Sequence, residues 1–369
     1  MPLLSKLTGI GNCIYHISRH LLDMDHNNRY IFFYGYFSEK LQTTGNVKDV
    51  KFRTMQAISA YVKKIPMIKE LARGRLPLYT KRFDVYFEPN FIPLNFQVKS
   101  IVTAVYDFSF HLYPEWHPKD RIDYFKKKFF QRIYQSNLII TNSNYVKEEA
   151  KQILKIEEDR IRVISMGYNR TIFNQDDQEE RMRLRNFNKL PQNFLLFVGS
   201  IEPRKNLIRL LKAYLILPQY IKRHFKIFLV GFKGWRNAEV FELLNKMKEN
   251  VEYLGYVNNE ELADLYRKAS CFIYPSLYEG FGLPPLEAMA CGCPVVVSNV
   301  TSLPEVCGDA AYYIDPNDVE NIAGGIQKVL MDEELRQNMI EKGLERAKLF
   351  SWEKAAKEHL KVFEEVLSL

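Results

Sequence analysis

Two glutamates, Glu279 and Glu287, flank the run Gly280-Phe281-Gly282-Leu283-Pro284-Pro285. Gly280 and Gly282 free the backbone to approach a ligand closely, and the N–H groups at the start of the helix that follows form an anion site. Pro284 and Pro285 suit a first helical turn, where no N–H partner is required. A carboxylate beside such an anion pocket is unfavourable unless it accepts hydrogen bonds from hydroxyls, and sugar and ribose hydroxyls are donors of that kind. The pattern therefore fits a ligand that is both phosphorylated and polyhydroxylated. A second run, from Phe197 through Gly199 to Arg204, Lys205 and Leu207, passes from an apolar strand through a glycine turn into a helix. Arg204 and Lys205 stand at the start of that helix, where the dipole disfavours cations. An anion lying between them and the helix start at Leu283 resolves the conflict, and a diphosphate fits that description.

Weaker signals come from the first half. Thr8-Gly9-Ile10-Gly11 precedes a helical pattern and reads as a glycine loop that contacts phosphate or sugar. Val105-Tyr106-Asp107-Phe108 ends a strand pattern, and in open α/β sheets that edge lines the ligand crevice. Asp107 is thus a candidate catalytic or sugar-binding carboxylate. His111 and His117 lie in the aromatic loop beyond it, on the expected acceptor side. Other combinations read as structural: His16 and His20 share a helix face without a third ligand, Asp23 and Asp25 end a helix rather than a strand, and Cys291-Gly-Cys293 lacks a partner pair. No metal site is expected, and the cysteines are expected as buried free thiols.

These groups need a scaffold that gathers strand ends. Apolar runs at 194–198, 226–230, 251–254, 271–274 and 295–297 alternate with amphipathic helical patterns. Shorter β-rich runs at 30–34, 85–87, 101–105 and 138–141 do the same in the first half, with helical patterns at 14–22 and 144–154. That alternation predicts an α/β chain with parallel sheets covered by helices on both faces. Segment 175–192 is polar, charged and interrupted by Pro191, and reads as a connection between domains at 1–174 and 175–350. The final segment, 351–369, is amphipathic, with Trp352, Leu360, Phe363 and Leu367 near one face. A doubly wound domain normally opens with a buried strand, and Met1–Lys6 is a poor one. Either that strand is short, or the start lies downstream of the true one.

Composition sets the outer limits. At 369 residues, with 47% apolar and 14% aromatic content, the chain can bury two cores. No apolar run reaches the roughly 18–20 residues of a membrane span, and no secretory signal is visible, so a cytoplasmic protein is expected. Charge is uneven: residues 1–170 carry 27 Lys and Arg against 16 Asp and Glu, and residues 171–369 carry 25 against 28. The basic half implies an anionic partner such as membrane headgroups or a pyrophosphate-linked lipid. Nucleic acid is not expected, because no helix-turn-helix, zinc or RNA-binding signature accompanies that charge.

Together these stretches resemble the family 4 retaining glycosyltransferases of the GT-B fold, in which two Rossmann-like domains face each other across a cleft. The resemblance runs from Gly9 to Trp352. It is strongest at Gly255-Tyr256-Val257, Tyr274-Pro275-Ser276, Glu279 through Glu287, Gly292-Cys293-Pro294-Val295 and Ser302-Leu303-Pro304-Glu305-Val306. It implies that Glu279 contacts the transferred sugar, Glu287 holds the ribose, and Arg204 and Lys205 hold the diphosphate with N–H groups near Phe281, Gly282 and Leu283. Val257 would contact the base through its backbone, and Gly9 and Gly11 would face the donor across the cleft. The N-terminal domain would bind the acceptor and be completed by the helix 351–369. Two departures stand out: Tyr106 occupies a place where many members carry a donor-contacting histidine, and Ser200 a region where others carry arginine. The implied reaction is metal-independent hexose transfer with retention, from a nucleotide diphosphate sugar to a lipid-pyrophosphate-linked or growing glycan. GDP-mannose is the first donor, by likeness to bacterial surface-polysaccharide mannosyltransferases. UDP-glucose, UDP-N-acetylglucosamine and dTDP-rhamnose are alternatives, and a nucleotide-sugar-binding subunit without activity is the reading of another class.

The segment from Lys63 to Arg82 carries Lys63, Lys64, Lys69, Arg73, Arg75, Lys81 and Arg82 interleaved with Ile65, Met67, Ile68, Leu71 and Leu76. Such a stretch suits an anionic leaflet, at roughly 1 kcal/mol per basic residue near the surface. The chain is expected to co-sediment with anionic liposomes at low salt, and replacing Lys63, Lys64, Lys69 and Arg73 by Gln should release it while leaving donor binding intact. Equal binding by that variant would remove the segment as the anchor.

Overall fold

The computed structural model describes residues 9–34, 37–42, 83–176 and 191–369. The basic segment 63–82, Thr8 and most of the expected interdomain connection lie outside the described residues. Two parallel sheets organise what is described. The first runs in sequential order β3 (Val85–Glu88), β4 (Ser100–Val105), β5 (Leu138–Thr141) and β6 (Ile161–Val163). The second has six parallel strands: β7 (Phe194–Val198), β8 (Lys226–Val230), β9 (Val251–Gly255), β10 (Cys271–Tyr274), β11 (Val295–Ser298) and β12 (Ala311–Ile314). Their spatial order, β12-β11-β10-β7-β8-β9, reverses direction between β7 and β10. A ligand crevice is expected at such a switch point, outside the carboxyl ends of the strands.

The hydrophobic runs explain these sheets. Phe194–Val198 and Cys271–Tyr274 are buried at every position, as strands covered on both faces must be. Burying each large apolar side chain of this kind contributes about 1.5–3 kcal/mol. The expected strand at 30–34 is the exception. Only Phe32–Phe33 (β1) pairs, antiparallel with Phe37–Ser38 (β2), and this ribbon stands apart from both parallel sheets. Its residues are half-buried, because the aromatics pack against Phe96 rather than within a sheet.

Helix α1 (Gly9–Met24) takes in the glycines expected to form a loop: Gly9 and Gly11 sit in its first turn, Gly11 buried. Its end explains the two aspartates. Asp23 pairs with Arg19, and Asp25 accepts from the N–H groups of Asn27 and Asn28, closing the turn. Ser143 caps α2 (Asn144–Leu154) by accepting from Val146 N–H at 3.2 Å. The five cysteines are buried and free. Among the described residues no helix is long and apolar enough to cross a membrane.

The last helix, α3 (Trp352–Ser368), returns to the first sheet. Phe363 and His359 meet Phe87 of β3, Ser100 of β4 donates to the Val366 carbonyl at 3.2 Å, and Trp352 stacks on His16 of α1 with ring centroids 5.3 Å apart. The stack gives His16 its structural place. The buried stripe is Trp352, Ala355, Ala356, His359, Val362 and Val366, whereas Leu367 is half exposed. Trp352 is buried as expected, and beyond it the stripe runs one position before Leu360, Phe363 and Leu367. Leu360 and Phe363 are partly buried at the edge of this stripe. Gly167 makes room for this docking: a β-carbon there would stand 2.1 Å from the Trp352 backbone nitrogen. Gly167→Ala is expected to cost about 1–3 kcal/mol and to expose α3 to proteolysis, read by urea denaturation and limited trypsin digestion. Unchanged stability would mean that α3 docks differently.

Candidate active site

The loops after β7 and β10 meet at a cluster of four charges. Pro203–Lys205 form a single 3₁₀ turn ahead of the helix Leu207–Ile216, so Arg204 and Lys205 lie in the turn rather than in the helix proper. Asn206 joins the two in the left-handed region, φ 59°, which Asn tolerates better than most residues. Its amide donates to the Pro275 and Pro316 carbonyls at 3.0 and 2.7 Å, fixing the turn against the neighbouring loop. Arg204 then reaches the Glu279 carboxylate at 2.7 Å, the Tyr278 carbonyl at 2.9 Å and Glu202 at 2.8 Å. Lys205 reaches the other Glu279 oxygen at 2.5 Å and the Tyr274 hydroxyl.

Each charge is held by the others. Burial alone would raise the Glu279 carboxyl, but Arg204 and Lys205 outweigh it and hold it at about 2. Glu279 is therefore an ionised acceptor at neutral pH. Burial pulls the Lys205 ammonium down, aided by Arg204 and opposed by Glu279. Burial also opposes the Arg204 charge, but Glu279 and Glu202 more than compensate. The anion that answers the two cations here is thus Glu279 of the protein itself. Its backbone is pinned as well: Glu279 N–H donates to Thr301 Oγ1 at 3.1 Å, and Ser302 Oγ donates to the Glu279 and Phe281 carbonyls at 2.8 and 2.7 Å. Thr301 has φ 59°, an unusual value for a β-branched residue and a place where backbone strain is stored.

Helix Leu283–Ala290 starts where the sequence places it. Gly282 caps it at φ 126°, and its proline pair occupies the first turn. Phe281 is buried with its ring against Phe350. Glu287 lies one turn into the helix, partly exposed, without an ion pair among the described residues. Burial pushes its carboxyl up to about 8, with the nearby Tyr266 hydroxyl pulling the other way. Its charge acts on the buried Cys13 thiol of α1. Val257 is buried beyond the end of β9, beside Tyr256, whose ring stacks on Phe232 at 4.7 Å.

The first sheet supplies the opposing wall. Gly280 lies so close to Tyr106 that a β-carbon would stand 1.8 Å from the Tyr106 carbonyl oxygen and 3.2 Å from the Asp107 β-carbon. Tyr106 itself does not face the cleft. Its ring turns inward, edge-on to Phe91, and its buried hydroxyl finds no partner among the described residues, so its backbone rather than its ring borders the site. This corrects its place among the candidate catalytic groups: the side chain fills the first core because Phe91 and Cys13 leave it an apolar berth. Asp107 points along the cleft edge and accepts from Ser109 N–H at 2.9 Å and Ser109 Oγ at 2.7 Å. Ser109 Oγ in turn lies 3.0 Å from His117 Nε2. His111 is exposed and packs edge-on against Phe130, so only His117 of the two joins this network.

Contacts across the cleft close it at several points. Ser143 Oγ donates to the Gly280 carbonyl at 2.8 Å. Glu305 accepts from Asn144 N–H at 2.8 Å and Tyr145 N–H at 3.2 Å, capping α2 from the other side. The Tyr278 hydroxyl accepts from Phe108 N–H at 2.9 Å and donates to Glu149 at the position where α2 meets the cleft. Trp235 and Arg236 donate to the Trp116 and Glu115 carbonyls. Sequence reasoning passed over Glu202, Tyr278 and Ser109. The first two lay inside the runs that carried the stronger signals, and Ser109 two residues beyond Asp107, but neighbours with more distinctive chemistry masked them.

The family model for glycosyl transferases group 1 matches residues 178–346. The chain is 35% identical to O-antigen chain mannosyltransferase B of Escherichia coli, over 95% of this chain and 94% of that protein. It is 32% identical to the serotype-specific mannosyltransferase WbdA of Escherichia coli over 60% of this chain, spanning 28% of that longer protein. Among solved structures, WaaG, a glycosyltransferase involved in lipopolysaccharide biosynthesis, superposes with a TM-score of 0.70 at 17% identity, over 98% of this chain and 97% of that one. The two facing sheets are those of the GT-B fold.

The two glutamates should separate by pH. The Glu279 carboxyl is held below its ordinary value, so its contribution to stability is complete above that value and lost only as the pH falls toward about 2. Glu279→Gln should therefore destabilise equally at about pH 5 and pH 8, by about 3–5 kcal/mol for one partner removed from a buried ion cluster. The Glu287 carboxyl is raised to about 8, so its cost to folding is absent below its ordinary value and grows as the pH rises through about 8. Glu287→Gln should stabilise the ligand-free chain at about pH 8, with the gain shrinking toward about pH 5. Urea denaturation at both pH values checks this; a pH-independent gain would contradict the assignment.

Proposed function

The chain belongs to the group 1 glycosyl transferases, and from that membership we propose that it transfers mannose from GDP-mannose to a hydroxyl of a growing surface glycan, with retention and without a metal ion. The observation that carries the site assignment is the buried Glu279–Arg204–Lys205 cluster at the mouth of the second sheet, with the charge of Asp107 acting on Arg204 from the first sheet. The donor assignment is supported by the mannosyltransferase names of two relatives, O-antigen chain mannosyltransferase B and WbdA. An HepE protein of Anabaena, with which the chain shares its fold at a TM-score of 0.60, was solved in complex with UDP-glucose, so UDP-glucose stands with UDP-N-acetylglucosamine and dTDP-rhamnose among the donors to screen.

In this reading Glu287 accepts from the ribose hydroxyls, and their arrival offsets the cost of its charge. Val257 borders the base through its backbone. The diphosphate approaches the N–H groups of Phe281, Gly282 and Leu283 and shares Arg204 and Lys205 with Glu279, while Gly9 and Gly11 bring the start of α1 toward it. Guanidinium, ammonium and helix N-termini then neutralise charge on the departing diphosphate, the role a divalent cation would otherwise fill. Glu279, already ionised, cannot donate a proton at neutral pH. It accepts from sugar hydroxyls and stabilises positive charge growing at the anomeric carbon. The acceptor oxygen bonds to that carbon on the face the diphosphate leaves, the carbon–phosphate oxygen bond breaks, and the acceptor proton passes to the departing phosphate oxygen. The acceptor is a lipid-pyrophosphate-linked glycan at the inner face of the membrane, reached through the basic first half.

Purified protein with GDP-mannose and a synthetic octyl α-mannoside should form disaccharide in the presence of EDTA. Glu279→Gln should slow transfer by at least about a hundredfold, and Glu287→Ala should weaken GDP binding in calorimetry by roughly tenfold or more. A strict need for magnesium, or turnover of Glu279→Gln near that of the wild type, would sink this mechanism.

A further inference from the structure

His117 is 4% exposed, and its Nδ1 is buried without a hydrogen-bond partner among the described residues. Its other nitrogen is committed. Ser109 Oγ lies 2.7 Å from Asp107 Oδ1 and 3.0 Å from His117 Nε2. A carboxylate only accepts, so the single Ser109 hydroxyl proton goes to Asp107. Nε2 must then carry a proton and donate it to Ser109 Oγ. Burial, with Arg121 next, holds the imidazole below its usual value against Asp107 and Glu202, so the ring is neutral at physiological pH. A neutral ring protonated at Nε2 leaves Nδ1 as a bare acceptor.

Its surroundings identify what it could accept from. Trp235, from the loop after β8, lies beside the ring, tilted 34° to it with centroids 6.2 Å apart, and donates its own N–H to the Trp116 carbonyl. Asp107 adjoins Gly280, and the charges of Glu202 and Arg204 act on the imidazole. His117 thus stands where the two walls meet, beside the cluster that holds Glu279. A histidine serving only to brace the fold would satisfy both nitrogens. This one has its tautomer set by a three-residue relay and keeps one lone pair unanswered at the cost of desolvation.

We infer that His117 Nδ1 receives a hydrogen bond from a sugar hydroxyl, with Asp107 and Ser109 as positioning residues that set its tautomer. The inference rests on the glycosyl transfer reading for the nature of the ligand. The hydroxyl can come from the donor sugar or from the acceptor, and the experiment separates them.

Nitrogen-15 NMR of histidine-labelled protein, with His117 assigned by its loss in His117→Ala, should show the Nε2-protonated neutral ring in ligand-free protein near pH 7.5. Titration with GDP-mannose and, separately, octyl α-mannoside should move the Nδ1 resonance upfield for the one that supplies the hydroxyl. An Nδ1-protonated or charged ring, or a resonance that neither probe moves, overturns the inference. In transfer assays His117→Ala should lose about two- to tenfold in kcat/KM, as one neutral hydrogen bond warrants, mainly through the KM of the same probe. His117→Asn, which retains an acceptor near Nδ1, should recover part of it. If the wild type transfers sugar while Nδ1 stays unmoved, this inference alone fails. If octyl α-mannoside moves Nδ1 but no donor supports transfer, the inference stands and the proposed reaction fails.

Discussion

Glu279 carries one negative charge into a place that little water reaches, and two cations from a different loop follow it there. Everything at the mouth of the second sheet is arranged around that problem. An ionised carboxylate so deeply placed is costly unless paired and hydrogen-bonded. Arg204 and Lys205 supply the pairing, Glu202 and Tyr274 complete the outer valences, and Thr301 and Ser302 hold the Glu279 backbone. The pairing also decides which loops must stay together. Arg204 and Lys205 come from the turn after β7 and Glu279 from the turn after β10, the two strands between which the sheet changes direction. The ion cluster thus ties together, at the level of side chains, the two loops that flank the crevice topology opens at the level of backbone.

The second constraint is steric and works across the cleft. Gly280 leaves no room for a β-carbon against Tyr106. The first sheet therefore approaches the Glu279–Leu283 loop by backbone contact, with Asp107 brought alongside. Ser143, Glu305 and the Tyr278–Glu149 contact hold that approach from the other elements. Because each of these is a single hydrogen bond or a helix cap, together they favour closure without making it irreversible, which suits a cleft that must admit and release ligands.

Much of this was legible in the sequence, for reasons that differ from residue to residue. The strands of the second sheet are continuous apolar runs between turn signals, and a fully buried parallel strand reads no other way. The start of the helix at Leu283 follows from glycine before it and proline within it. The small antiparallel ribbon at Phe32–Ser38 reads like a core strand because its aromatics satisfy the same pattern, although they pack on Phe96 outside the sheets. The glycines at 9 and 11 look like a loop because glycine is costly inside a helix; at a helix start that cost is small, and both were absorbed. Tyr106 shows the limit most clearly. Its position at a strand end was readable, but whether its side chain turns to the cleft or to the core depends on the space left by Phe91 and Cys13, and no local pattern encodes that. The relay from Asp107 to His117 was hidden for the same reason: Ser109 is unremarkable until folding sets it between them.

The contrast between the two glutamates shows how one motif divides its labour. Glu279 and Glu287 are the same residue on either side of one glycine turn, yet the first is held ionised at about 2 and the second is pushed up to about 8. Sequence spacing cannot cause that difference; the charges brought by another loop do. Glu279 meets two cations and is finished as a charge before any ligand arrives, so binding can only redistribute its partners. Glu287 meets none among the described residues, and the Tyr266 hydroxyl only partly offsets the burial of its charge. The folded chain thus presents one carboxylate that is already paid for and one that waits. A ligand that satisfies the second while sharing the cations of the first carries both hydroxyls and negative charge, and the proposed nucleoside diphosphate sugar has that form.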